Sequence, residues 1–165
     1  MKFGRLPEGL PIWHPAAIAA TWGWSGLLPG APGTWGSLLT LPFAWLIADR
    51  WGPSALFVAA AAAFLVGLWA SRRYLRSSTS KDPSTIVIDE TAGQFLALAL
   101  VPVEFWWYVA GFVLFRIADI FKPWPASWAD RSLLGALGVM TDDIFAAVYV
   151  LVVLYGAHLL SLIHI

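Results

Sequence analysis

The sequence predicts an all-α fold: a small polytopic membrane helix bundle of about five spans, preceded by an N-terminal interfacial helix. Three observations carry this reading. Charged residues are 12 % of the 165-residue chain, against roughly 25 % in a soluble domain. Apolar residues reach 59 % and mean hydropathy is +0.73, so little polar surface remains to wet a protein of this size. The charges are also bunched, leaving uncharged runs of membrane-crossing length, and eleven tryptophans suit a chain with membrane–water interfaces to line.

The length fits one domain over residues 1–165. Ten basic and ten acidic residues give a net charge of 0. No global field draws a polyanion, which argues against nucleic-acid binding. Cysteine is absent, excluding disulfides, thiol catalysis and Cys-ligated zinc. Pro7, Pro11 and Pro15 leave no uninterrupted apolar stretch for a cleaved signal peptide.

Taken in order, Ile12–Leu28 mixes Trp and Gly with His14 and Pro15, and reads as the interfacial helix. Thr34–Ala48 is a short apolar helix with Pro42 inside it, and Asp49–Pro53 is a tight turn. Ser54–Ala70 lies in the uncharged gap between Arg50 and Arg72; at 1.5 Å per residue it spans about 25 Å, near the lower limit for crossing a bilayer. Ser77–Ser84 is a polar linker, stopped by Pro83, that reads as a mobile loop. Thr91–Phe115 is too long for one helix, and Pro102 and Glu104 divide it into a hairpin of Gln94–Val101 and Phe105–Phe115. Ile144–Ile163 is a last span, interrupted only by His158.

Threading the chain through these spans puts Lys2, Arg5, Arg72, Arg73, Arg76, Lys81, Arg116, Lys122 and Arg131 on one side and Arg50 alone on the other. The positive-inside rule makes the first side cytoplasmic and the C-terminus external. The same side collects Asp89, Glu90, Asp119, Asp130, Asp142 and Asp143. That much negative charge beside hydrocarbon needs compensating cations. Arg116, Lys122 and Arg131 supply part, and a hard divalent ion held by carboxylate oxygens supplies the rest. His14, His158 and His164 are scattered, which disfavours zinc.

Asp89–Glu90 and Asp142–Asp143 are adjacent pairs at expected helix starts. One acid in a first turn is ordinary dipole compensation, but two doublets favour metal ligation. Arg116, Asp119 and Lys122 follow an i, i+3, i+6 spacing, so a basic–acidic–basic face could hold a phosphate and a metal; an ion-pair ladder fits the same spacing. Gly26–Ser37 is rich in Gly and Pro and runs into a helix. Its glycines permit close backbone approach, Thr34 could cap the helix, and the free N–H groups near Gly33, Thr34, Gly36 and Ser37 form a candidate anion site or a plain structural turn. It lacks the Gly-Lys ending of a P-loop.

From about Trp22 to Ala147 the chain resembles the bacterial phosphatidylglycerophosphatase A family. The matching stretches are Gly26-x-x-Pro29-x-x-Pro32-Gly33-Thr34-x-Gly36-Ser37, Asp89-Glu90-x-x-Gly93, Phe115-Arg116-x-x-Asp119-x-x-Lys122-Pro123-x-Pro125, and Asp130-Arg131 with Gly135, Gly138 and Met140-x-Asp142-Asp143. One departure is Leu134-Gly135-Ala136, where the family often has His-Gly-Gly. The resemblance implies a multi-pass enzyme of the bacterial inner membrane with its site facing the cytoplasm. It would be a Mg²⁺-dependent phosphatase converting phosphatidylglycerophosphate to phosphatidylglycerol and phosphate in phospholipid synthesis.

On that reading Asp89, Glu90, Asp119, Asp142 and Asp143 are the catalytic and metal-holding residues, with one or two Mg²⁺. Arg116, Lys122 and Arg131, with Gly33, Thr34, Gly36 and Ser37, bind phosphate. Water is favoured over an aspartate as nucleophile. Two other classes also fit buried acids. A CDP-alcohol phosphotransferase would need an Asp-Gly…Ala-Arg…Gly…Asp…Asp spacing that is missing. A divalent-cation transporter would need acids near the bilayer midplane and leaves Arg116 and Lys122 without a role.

Overall fold

Proline and glycine punctuate the helices where the sequence places them. The computed structural model describes residues 3–80 and 82–163; Lys2, Lys81 and His164 lie outside the described residues. Seven α-helices and no strand are present among them: α1 (Pro15–Ala20), α2 (Pro32–Trp51), α3 (Ala55–Leu75), α4 (Ile88–Ala97), α5 (Phe105–Phe121), α6 (Ala126–Ser132) and α7 (Ala136–Ile163). Pro15 and Pro32 occupy the first turns of α1 and α2, where a missing N–H costs nothing. Gly52, at φ +84°, stops α2, and Gly135, at φ +64°, turns the chain into α7.

Two helices, α3 and α7, are long and apolar enough to cross a membrane. In their most apolar stretches only 33 % of α3 and 22 % of α7 is buried inside the chain. Val58, Leu65, Val152 and Val153 stand outward, an apolar exterior of the kind that marks a membrane or partner contact. No other helix among the described residues is that long and apolar, so the expected count of about five spans is not confirmed, and the other expected segments differ in their bounds. The short helix expected at Thr34–Ala48 runs from Pro32 to Trp51, straight through Pro42. The first arm of the expected hairpin begins earlier and stops sooner, as α4, only about 15 Å long. Leu98, Ala99 and Val101 continue it as non-helical backbone, fully buried by protein. The last helix starts at Ala136, not Ile144.

Small residues set the packing. On α3 the buried stripe is Leu56, Ala60, Ala63, Gly67, Ala70, Ser71 and Tyr74, a spacing that lets neighbouring backbones approach. A Cβ on Gly67 would lie 2.5 Å from the Met140 methyl of α7. α4 sits centrally, packed on α2, α3 and α7 and buried on nearly every face. Gly93 makes this possible: a Cβ there would come within 2.5 Å of the Phe115 ring of α5. Cross-links fix the register. Thr40 Oγ1 donates to Thr91 Oγ1 (3.1 Å), the Val87 amide donates to Ala20 O (2.8 Å), and Tyr108 donates to Ala44 O (3.3 Å).

The expected interfacial helix is shorter than its sequence stretch. His14 caps α1 through Nδ1 (3.1 Å from the Ala16 amide), and Ala16, Ala17 and Ala20 are buried where α1 packs on α3. Trp13 stays 73 % exposed. The linker Ser77–Ser84 is tied at both ends, by Ser77 N–H to Tyr74 O (3.1 Å) and Ile86 N–H to Pro83 O (2.9 Å). Its described residues, 77–80 and 82–84, line cavities.

Candidate metal and phosphate site

Helix direction gathers the charged residues at one end of the bundle. The start of α2, the segment after α3, the start of α4, the end of α5 and the first turns of α7 surround a cavity of about 260 Å³. Six carboxylates line it: Asp82, Asp89, Glu90, Asp119, Asp142 and Asp143. Among the described residues, two cations line it, Arg116 and Lys122. The two acid doublets, far apart in sequence, therefore share one space.

The cations divide the acids into two sets. Arg116 Nη1 reaches Asp119 Oδ2 at 2.7 Å and Glu90 Oε1 at 3.7 Å. Lys122 Nζ donates to Asp142 Oδ2 at 2.5 Å and to Asp130 Oδ1 at 2.7 Å. Beside these pairs is a cradle in which one carboxylate oxygen each from Asp89, Glu90 and Asp143 lies within 4.8 Å of the others. Glu90 Oε2, Asp142 Oδ1 and Asp143 Oδ2 are buried with no hydrogen-bond partner. Buried carboxylate oxygens in that state are costly unless a cation takes them. The oxygen-only donor set fits a hard divalent ion such as Mg²⁺.

Local structure explains how each group arrives. Asp89 and Glu90 occupy the first turn of α4, whose preceding residue, Val87, offers no side-chain cap. Asp89 Oδ1 accepts from the Glu90 amide at 3.0 Å, and acids in a first turn are favoured by the helix dipole. Asp142 and Asp143 differ. With α7 starting at Ala136, they fall in its second turn, beyond the reach of the helix-terminal dipole. The reading of both doublets as helix-start pairs is thus corrected for the second, and capping cannot account for it.

Lys122 also departs from its expected place on the α5 face. The helix ends at Phe121, and Lys122 takes a left-handed conformation (φ +43°) that glycine favours. Such a residue carries about 1 kcal/mol of backbone strain. The turn sends its ammonium to Asp130 and Asp142 instead of extending an Arg116–Asp119 ladder. Burial pulls Lys122 down, but the bonds to Asp130 and Asp142 outweigh it and hold the ammonium above its usual range. Asp82, on the loop, is pushed up by partial burial; Lys122 opposes this, and Asp130 and Asp119 add to it.

The glycine-rich segment contributes less than expected. Ala31, Pro32 and Gly33 line the cavity, but Thr34, Gly36 and Ser37 do not. The helix starts at Pro32, so Thr34 is inside it and caps nothing. The Trp35 amide already donates to Ala31 O (3.2 Å), leaving the Gly33 and Thr34 amides ahead of the first intrahelical bond. Gly36 instead seats α2 against Val87, where a Cβ would lie 2.8 Å from Val87 Cβ. Gly33 is the tight point. A Cβ there would sit 2.0 Å from Glu90 Oε1 and 3.0 Å from Arg116 Nη1. Arg131 is exposed and lines a neighbouring cleft, not the acid cavity.

Asp82 and Ser84 line the cavity without having been singled out in the sequence. A lone acid among serines reads as solvated loop, and only its position before Pro83 hints otherwise. Asp130 pairs across the turn with Lys122 rather than with its neighbour Arg131.

Residues 18–158 match the family model described as Phosphatidylglycerophosphatase A. The phosphatidylglycerophosphatase A of Escherichia coli K12 is 38 % identical over 153 residues, covering 92 % of this chain and 86 % of that protein. The protein of the same name from Haemophilus influenzae is 34 % identical over 148 residues, covering 89 % and 91 %. A Bacteroides thetaiotaomicron relative, 38 % identical over 152 residues (84 % of this chain, 90 % of its own), is provisionally named a phosphatidylinositol-3-phosphatase. No solved structure matches. Cavity, acid doublets and these alignments agree that the chain belongs to the phosphatidylglycerophosphatase A family.

Proposed function

We propose that this phosphatase hydrolyses the terminal phosphomonoester of phosphatidylglycerophosphate, giving phosphatidylglycerol and inorganic phosphate, as a step in phospholipid synthesis. The observation that carries the reading is the cradle of Asp89, Glu90 and Asp143 beside Arg116, at the end of a helix bundle with an apolar exterior. A dianionic phosphate cannot approach six carboxylates unless cations intervene.

Asp89, Glu90 and Asp143 would hold Mg²⁺, with Asp119 and Asp142 in reserve as ligands now paired with Arg116 and Lys122. When bound, the ion supplies charge neutralisation at the phosphoryl oxygens and activation of water. Arg116 orients the phosphoryl group and shields it from Glu90 and Asp119. Lys122 keeps Asp142 from adding its full charge to the pocket. The Gly33 amide, at the positive end of α2, donates to a phosphoryl oxygen. In the net reaction the water oxygen ends on phosphorus, the P–O bond to glycerol breaks, and the leaving alkoxide takes a proton.

The enzyme lies in the bacterial inner membrane and threads it five times. α2, α3, α5 and α7 make four passages; α4 with its buried Leu98–Val101 extension makes the fifth, its non-helical backbone shielded by protein as a bilayer requires. Arg72, Arg73, Arg76 and Arg131 support a cytoplasmic position for the cavity end. A reporter fused after α7 should therefore read as external, and a cytoplasmic signal would overturn this threading.

Purified enzyme in detergent micelles should release phosphate from phosphatidylglycerophosphate, stop in EDTA and recover with Mg²⁺. Full activity in chelator would remove the metal. The Bacteroides relative's name supports a second substrate, a phosphoinositide. Phosphatidylinositol 3-phosphate assayed in parallel separates the two, and a preference for it would replace the proposed substrate.

A further inference from the structure

We propose that the cleft beside the acid cavity is a second phosphate subsite, in which Arg131 holds the internal phosphodiester of the lipid headgroup while the cavity holds the terminal phosphomonoester. This rests on the proposed substrate, which carries both groups.

The acid cavity, about 260 Å³, is smaller than the roughly 300–1,000 Å³ of pockets that bury a drug-sized ligand, and the remainder of the headgroup has an adjoining cleft to occupy. The adjoining cleft is about 580 Å³ and shares Asp82 and Val139 with the cavity, so a headgroup can lie across both.

The cleft's lining suits what would follow the terminal phosphate. One wall is polar, from Ser78 to Ser80 with Arg131; the other is apolar, with Leu133 and Leu134. Leu134 is 81 % exposed at this wall, placed to meet the root of an acyl chain. Arg131 forms no ion pair among the described residues, so its guanidinium is available. The neighbouring Asp130, which would otherwise repel an anion, has its charge partly offset by Lys122 at 2.7 Å, a cation it shares with Asp142. A guanidinium suits a diester, whose two free oxygens accept a forked pair of N–H bonds.

The products divide the two subsites for testing. Phosphatidylglycerol carries the diester alone, and inorganic phosphate occupies the cavity alone. Wild type, R131Q and R131K are compared in micelles with phosphatidylglycerophosphate, each product serving in turn as inhibitor. R131Q should raise KM and weaken inhibition by phosphatidylglycerol, each by about tenfold, as expected for one charge-assisted contact. Inhibition by inorganic phosphate should persist, and R131K should recover part of the loss. Unchanged inhibition by phosphatidylglycerol would overturn the subsite. So would a parallel loss of phosphate inhibition, which would put Arg131 in the acid cavity. Failure of wild type to cleave phosphatidylglycerophosphate is read before any variant is compared; it sinks the substrate assignment, and the subsite with it.

Discussion

The two ends of the bundle treat charge in opposite ways. At the end opposite the cavity, the last turn of α2 carries Asp49 and Arg50 and the α4–α5 link carries Glu104, all exposed. Around them stand Trp51, Phe105 and Trp106, exposed by 71, 62 and 76 %. Those charges are solvated and cost the fold little. At the cavity end, Asp89, Asp142 and Asp143 are buried, with 8, 5 and 3 % exposure. Carboxylates in such surroundings lose their hydration, and two protein cations do not repay it. A chain that needed only stability would have no reason to keep them there. The difference teaches that acids are informative when their environment makes them expensive, not when they are numerous.

The strongest way to break this contrast is to neutralise one acid at each end. Asp143→Asn should lower turnover by more than about a hundredfold, with the protein still folded by tryptophan fluorescence. Glu104→Gln should leave turnover and Tm at wild-type values. Comparable losses in both would mean that burial does not mark the working acids.

A pair of glycines sharpens the comparison with a smaller effect. Gly33→Ala drives a methyl into Glu90 and Arg116. The side-chain ends can move, so folding survives while the site shifts, and a misplacement near 1 Å costs about a hundredfold in rate. Gly156→Ala, on α7 with nothing within 4 Å of the new methyl, should keep its activity and gain up to about 1 kcal/mol of helix stability. Phosphate release and thermal melts read both variants. A fully active Gly33→Ala enzyme would detach Glu90 from the chemistry.

Much of this arrangement was legible in the residues. Charge gaps located α3 and α7 because a bilayer demands one long apolar run. Acid doublets and the Arg116–Asp119 spacing pointed to one end because helix direction alone decides which termini meet. Other features were not legible. The length of α4 depends on protein shielding its buried extension, a tertiary matter invisible to hydropathy. The start of α7 at Ala136 moved Asp142 and Asp143 inward by two turns, since Gly135 rather than an acidic cap sets that boundary. Lys122 left the helical face because its own backbone turned left-handed, which a lysine gives no sequence signal for. Asp82 became a wall residue only because Pro83 and the Ile86 turn fold the linker back over the cavity.

On the proposed function, acids from α4 and α7 share one divalent ion. Mn²⁺ reports this directly, because its electron paramagnetic resonance signal broadens when protein carboxylates replace water. Titrated into the purified enzyme without substrate, Mn²⁺ should bind and be displaced by Mg²⁺, and both Asp89→Asn and Asp143→Asn should weaken it strongly. Undiminished Mn²⁺ binding in the two folded variants would contradict the claim.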